Sequence, residues 1–259
     1  VAWCDRLARV RDGTCRSNRG SSTSIAKLLA ATVMLAFWAP VTVQAQTAGM
    51  VEEALPPPTG LALYFSPAAS TPARPDADGF LRRWLLLEPI VKPNRTNAGF
   101  TSDYVRQALS PTQYPGRFEA IPQDGQTTAA AGTPRWHALD ANLFDVKLFK
   151  LAQGLGKPTY GVIFWAVTVV NSPREMRDVR LAVGSNSASI WWLNGTETAG
   201  LFGDRRMVMD DVLSRPVTLR KGRNVLRGAV INGPGLSDFC VRLLNANGRP
   251  IRDITVDVK

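Results

Sequence analysis

Hydrophobic and polar positions fall into short runs separated by turn residues along most of the chain beyond residue 79. Val179, Leu181 and Val183 alternate with Arg180 and Ala182, the period of a strand with one buried and one wet face. Tyr160 to Val170 is instead a continuous β-branched and aromatic run, which predicts a strand buried on both faces, ended by Asn171-Ser172-Pro173. Ser189 to Leu193 leads into Asn194-Gly195, a dipeptide suited to the two positive-φ positions of a type I′ hairpin. Within that run Trp191 and Trp192 must point to opposite faces, so one of them is core. Val217-Thr218-Leu219, Val225 to Ile231, Phe239 to Leu244 and Ile251 to Val258 continue the series, and Phe80 to Ile90 opens it. Residues 94–133 are polar and punctuated by Pro and Gly, with one short helix expected over Ser102 to Leu109. Strands recurring roughly every 10 to 15 residues, with scarcely any helical periodicity, predict an all-β sandwich or barrel.

The N-terminal part reads differently. Residues 1–27 carry Arg6, Arg9, Arg11, Arg16, Arg19 and Lys27 against Asp5 and Asp12. An uncharged apolar run from Leu28 to Trp38 follows, then Pro40 and the small-x-small pattern Val43-Gln44-Ala45. That order is the pattern of a secretory signal peptide over 1–45, with export to the periplasm or the outside as its consequence. The uncharged run from Leu28 to Val43 is 16 residues and holds Pro40, whereas a membrane span needs about 20 apolar residues. Residues 46–78 hold Pro56, Pro57, Pro58, Pro67, Pro72 and Pro75, so they predict a semi-stiff linker with one apolar patch, Leu61 to Phe65. The folded domain is expected over 79–259.

Composition then narrows the chemistry. The chain has one His and three Cys, too few in useful spacing for a Cys/His zinc site, and no disulfide framework. Cleavage after Ala45 leaves Cys240 alone, in Asp238-Phe239-Cys240-Val241, where it reads as a small buried apolar residue. The same cleavage removes six basic and two acidic residues, so the net charge falls from +10 to 10 − (6 − 2) = +6. In an exported protein that suggests polysaccharide or another anionic surface before nucleic acid. His137 is the one candidate imidazole base, yet there is no Gly-x-Ser-x-Gly elbow to supply its nucleophile. Asp204, Asp210 and Asp211 share a loop with Arg205 and Arg206 and read as solvated charge, without EF-hand spacing. Asn94-Arg95-Thr96 and Asn194-Gly195-Thr196 match the glycosylation acceptor pattern.

Several motifs stand in an order that carries a resemblance. They are Arg-Trp-Leu-Leu-Leu-Glu-Pro-Ile (83–90), Trp136 ahead of Asp-Val-Lys-Leu (145–148), Val-Arg-Leu-Ala-Val-Gly-Ser-Asn (179–186), Trp-Leu-Asn-Gly (192–195), Val-Thr-Leu-Arg-Lys-Gly-Arg-Asn (217–224), Phe-Cys-Val-Arg-Leu (239–243) and Asn-Gly-Arg-Pro-Ile (247–251). Over about residues 79–259 the chain resembles galactose-binding-like jelly-roll modules related to the sugar-binding domain of glycoside hydrolase family 2. It is also similar to secreted bacterial proteins that carry the name acetyl xylan esterase. Related modules often place an acidic residue after Gly-Ser, where this chain has Asn186, so a charged or metal-binding role does not carry over to that position. The resemblance implies a jelly-roll β-sandwich and a carbohydrate ligand; no cofactor and no metal are expected.

The resulting expectation is an exported, non-catalytic protein that binds a polysaccharide or oligosaccharide. Trp192 and Trp136 are the expected stacking aromatics, and Asn194 and Arg205 the expected hydrogen-bonding residues. An esterase acting on acetylated polysaccharide through His137 is the alternative, and a scaffold for a polysaccharide-degrading enzyme a second one. No nucleic-acid partner and no membrane span after cleavage are expected.

Overall fold

A computed structural model of the chain describes residues 60–93 and 99–259. The expected signal segment 1–45, the first part of the linker and Asn94-Arg95-Thr96 lie outside the described residues.

The run expected to be buried on both faces is the middle strand of the larger sheet. β6 (Val162–Ser172) pairs antiparallel along its whole length with β12 (Gly222–Asn232). Along its other edge it meets β3 (Ile90–Val91), β2 (Arg83–Leu87) and β14 (Thr255–Asp257). The sheet extends through β2 to β4 (Trp136–Ala141) and β1 (Phe65–Pro67), and through β12 to β8 (Ala188–Leu193) and β9 (Thr196–Leu201). The smaller sheet is built on β7 (Met176–Ser185), with β13 (Asp238–Leu244) and then β5 (Val146–Lys147) on one side. On its other side β7 pairs with β10 (Val212–Leu213) and β11 (Val217–Leu219). All these pairings are antiparallel, and the two sheets make an all-β sandwich. No helix among the described residues is long and apolar enough to cross a membrane.

The alternation of side chains splits β8 as its sequence requires. Trp191 belongs to the core between the sheets, with Trp84, Phe164, Leu181 of β7 and Phe239, whereas Trp192 lies on the opposite face of the same sheet. That outer face is not wet. Residues 100–121 cross it, with α1 (Ser102–Ala108) capped by the Thr101 hydroxyl, which accepts from the Tyr104 amide at 3.3 Å. Phe100, Val105, Leu109, Tyr114 and Phe118 from this arm bury Trp136, Trp165 and Trp192. This cover is why β6 needs no polar face. A second helix, α2 (Leu148–Gly154), follows β5 directly and buries Leu148, Leu151 and Ala152.

Two expectations change here. The described part of the Pro-rich stretch, 60–78, packs on the domain instead of running free: Phe65 is buried and pairs with Ala141 in β1, and Ala73 bridges to Val256. Pro67 is tolerated because β1 ends its sheet, where a missing N–H breaks no ladder on the far side. The expected strand over Ile251 to Val258 is paired in the larger sheet only at Thr255–Asp257.

Candidate functional site

Three connections meet at one end of the sandwich: the β7–β8 turn, the loop 202–211 between β9 and β10, and the loop 233–237 before β13. Together with Lys147 on β5 they line a cleft of about 670 Å³. The 202–211 loop is fastened down by specific contacts. Asn186 Oδ1 accepts from the Met207 amide at 2.7 Å, and the Ser187 amide donates to the Arg205 carbonyl at 3.2 Å. Gly184 on β7 lets the loop lie against the strand, since a Cβ there would collide with the Val208 carbonyl oxygen. Ion pairs complete the attachment: Arg242 with Asp210, and Arg205 with Asp211. The acidic loop read as solvated charge is therefore a paired, fixed wall. The physical reason is that β13 brings Arg242 to Asp210 from a distant part of the sequence, while the loop folds Arg205 back onto Asp211.

Asp238 stands at the bottom of this cleft, the first residue of β13, opposite Lys147 in the β5 ladder. Its side chain is 5% exposed. One carboxylate oxygen, Oδ2, accepts from Lys147 Nζ at 3.2 Å and from Asn186 Nδ2 at 3.3 Å. The other, Oδ1, is buried without a hydrogen-bond partner. Lys147 also pairs with Asp145 Oδ2 at 2.6 Å, so one ammonium serves two buried carboxylates. Burial pushes the Asp238 carboxyl above the usual carboxylate range, against the pull of Lys147 and Asn186. For Lys147 burial opposes the charge, and the two aspartates outweigh it and raise the ammonium. The Ser237 hydroxyl and Arg205 Nε are also buried without partners. Asp238 and Arg205 line the cleft and Ser237 does not, so the unsatisfied groups of the lining are a carboxylate oxygen and a guanidinium N–H, which a polar ligand would satisfy. No group of three or more His, Cys, Asp or Glu among the described residues could hold a metal ion.

The expected site residues separate into different places. Arg205 lines the loop-end cleft. Asn194 lies at the rim of a second groove, on the open side of the sandwich. With φ of 51° at Asn194 and 84° at Gly195, the pair forms the expected left-handed turn. The Asn194 side chain is engaged in structure, donating to Asn224 Oδ1 at 3.0 Å and accepting from the Val225 amide at 2.9 Å. Trp136 and Trp192, expected as exposed stacking platforms, are 1% and 3% exposed. They belong to one aromatic cluster, linked through Tyr114 and Trp165, and the arm 100–121 covers them. Neither offers a face to a sugar in this arrangement.

His137 lines neither cleft nor groove. Its Nε2 lies 3.1 Å from Glu88 Oε1, and Glu88 Oε2 is 2.9 Å from Lys157 Nζ. Burial opposes ionisation of Glu88, but Lys157 and His137 hold its carboxyl below the usual range. A histidine and a carboxylate are in contact, but the ring's partner is the acid. The Ser185 and Ser189 hydroxyls bond to each other, and that of Ser214 to the Arg215 carbonyl. Cys240, read from sequence as an inert strand residue, is buried, and burial pushes its thiol up to about 11.

Sequence reasoning did not single out Asp238 or Lys147 as binding residues. The available signal was an aspartate heading a run of apolar strand residues, Phe239 to Leu244, where a charge needs a partner.

No family model and no curated protein matches the chain. Among solved structures, it is similar to a PA14 sugar-binding domain from an RTX adhesin, at 11% identity and a TM-score of 0.38, covering 67% of this chain and 96% of that one. The PA14 domain of the antifreeze protein MpAFP gives the same identity and TM-score over 74% of this chain and 95% of that one. A β-glucosidase from Kluyveromyces marxianus in complex with glucose is 13% identical, with a TM-score of 0.31, over 65% of this chain and 16% of that one.

Proposed function

We propose that this chain is an exported carbohydrate-binding protein that recognises a neutral sugar in the loop-end cleft and breaks no bond in it. The observation that carries this reading is Asp238: a carboxylate nine-tenths buried, with one oxygen fixed by Lys147 and Asn186 and the other unpartnered. Sugar hydroxyls donate and accept at adjacent ring positions. A carboxylate oxygen on Asp238 together with a guanidinium N–H on Arg205 matches that alternation of needs. A hydrogen bond to an ionised group contributes about 1.5–3 kcal/mol, enough to place a ring once the protein has fixed the acceptor in advance. The acid–base pair His137–Glu88 lies outside the cleft on this reading, and His137→Ala leaves binding unchanged. The basic, apolar and small-x-small pattern of residues 1–45 supports a location beyond the inner membrane or outside the cell.

The test is a titration calorimetry screen of the chain against neutral oligosaccharides, xylo-, manno- and gluco-configured, beside Asp238→Asn. One series should saturate, and Asp238→Asn should weaken it roughly tenfold or more. Absence of binding across all three series, or equal binding by Asp238→Asn, overturns the proposal.

A further inference from the structure

The groove on the open side of the sandwich is separate from the loop-end cleft and shares no lining residue with it. Its volume is about 840 Å³. One wall is the edge strand β9 with Arg106 of α1 and Phe202. The other is the β10–β11 connection and β11, from Arg215 to Arg220. From this groove we infer a second binding site, for a carboxylated polysaccharide, an extended chain of uronic-acid residues.

Arg106 is paired with Glu197 at 3.2 Å, and Glu175 with Arg177 at 2.8 Å. That leaves Arg215 and Arg220, both exposed, with no ion-pair partner among the described residues. They belong to a stretch, 215–221, that contains Arg215, Arg220 and Lys221 and no Asp or Glu. A guanidinium presents two parallel N–H groups that match a carboxylate, so unpaired arginines in a groove select anions of that shape. Thr196 and Thr218 add exposed side chains on opposite walls, suited to the hydroxyls between successive carboxylates.

Other extended anions fit less well. An acidic peptide would bind by adding a strand to β9, but that edge is spoiled twice. Its register with β8 shifts between Trp191 and Trp192, where Thr198 is the unpaired residue, and Arg106 reaches Glu197 from α1. A single-stranded nucleic acid needs a free aromatic face for its bases. The groove's aromatic ring, Phe202, already has the Arg106 guanidinium over a face, 4.8 Å from its centroid. A uronate chain, with hydroxyls between its charges, meets these constraints.

This site does not rest on the sugar assignment of the loop-end cleft, and one experiment separates the two. The full chain is titrated with polygalacturonate and with its methyl-esterified form, at low and at physiological salt, beside the double variant Arg215→Gln, Arg220→Gln and the single variant Asp238→Asn. Polygalacturonate should bind at least about tenfold more tightly than the ester, and the double variant should remove that difference. Both arginines are exposed, so the urea midpoint of the double variant should stay within experimental error of the parent. Asp238→Asn should leave polygalacturonate binding intact. Equal affinity for acid and ester, or full binding by the double variant, overturns the inference. So does a thymidylate oligonucleotide that binds as tightly as polygalacturonate, which would assign the groove to nucleic acid.

Discussion

The two faces of the larger sheet are both buried, but they are buried in different ways. Between the sheets, Trp84, Trp191 and Phe239 meet edge-on, with centroids 5.0 to 6.0 Å apart. Their polar atoms are satisfied: Trp84 Nε1 donates to the Leu81 carbonyl at 2.7 Å and Trp191 Nε1 to the Ser189 hydroxyl at 3.0 Å. On the outer face, Trp165 and Trp192 stack beneath Tyr114 and Phe118, and among them lies Arg227, 2% exposed. No carboxylate pairs with Arg227 among the described residues. Its guanidinium lies 5.1 Å from the Phe118 centroid, Nη2 donates to the Ala120 carbonyl at 2.8 Å, and Nε has no partner. The Tyr114 hydroxyl is likewise buried and unpartnered, and burial pushes it up to about 12 despite the nearby cation. Burial area alone therefore does not rank these regions. An unpaired buried charge costs several kcal/mol, of which cation–π contact with Phe118 and Tyr114 offsets about 2. The inner core joins the two sheets. The outer cluster attaches one arm, and it does so against an electrostatic cost.

The largest effect should come from the joint. Trp191→Ala is expected to lose about 3–5 kcal/mol in urea unfolding, the cost of a large core cavity. Trp192→Ala should lose less and should first free the arm, seen as faster proteolysis within 100–121. Equal losses, with no selective cleavage, would make the two faces one cooperative core. A smaller effect of opposite sign sharpens the contrast. Arg227→Met keeps the length and removes the charge, so it should stabilise the chain by about 1 kcal/mol. Destabilisation as large as that of Trp192→Ala would show that the guanidinium holds the arm in place.

The same contrast explains how far the sequence could be read. β6 was legible as doubly buried because its apolar run is unbroken, and the opposed faces of Trp191 and Trp192 followed from the period of a strand. The Asn194-Gly195 turn was legible because few dipeptides tolerate two positive φ values. The cover was not legible. Phe100, Tyr114 and Phe118 are scattered among Pro and Gly with no period, so nothing in their spacing announces a buried face, and Trp192 and Trp136 read as available. Helix α2 spans 7 residues, and its buried Leu148, Leu151 and Ala152 make too short a pattern to separate from the preceding strand. In the loop-end cleft Arg205 stood out as a charge in a loop. Asp238 did not, because its partners Lys147 and Asn186 lie 91 and 52 residues away. Pairings of that range are set by the ladder of β13 with β5 and β7, not by local composition.

The smallest expected effect lies at the rim of the outer face, where β4 carries His137 beside β2. Glu88 is held below its ordinary carboxylate value because Lys157 and His137 outweigh the cost of its burial. The folded carboxyl thus gives up its proton at lower pH than the same group in the unfolded chain. In the window between those two values the unfolded chain binds more protons, so stability is complete above about pH 4.5 and drains as pH falls through the folded value. Glu88→Gln removes that titration. Its urea midpoint should fall below the parent's at pH 6, by less than about 1 kcal/mol since Lys157 and His137 are partly exposed, and the gap should close as the pH is lowered. A gap that stays constant from pH 6 to pH 3 would mean that Glu88 contributes by packing alone. In that case charge plays no part in holding the edge of the outer cluster.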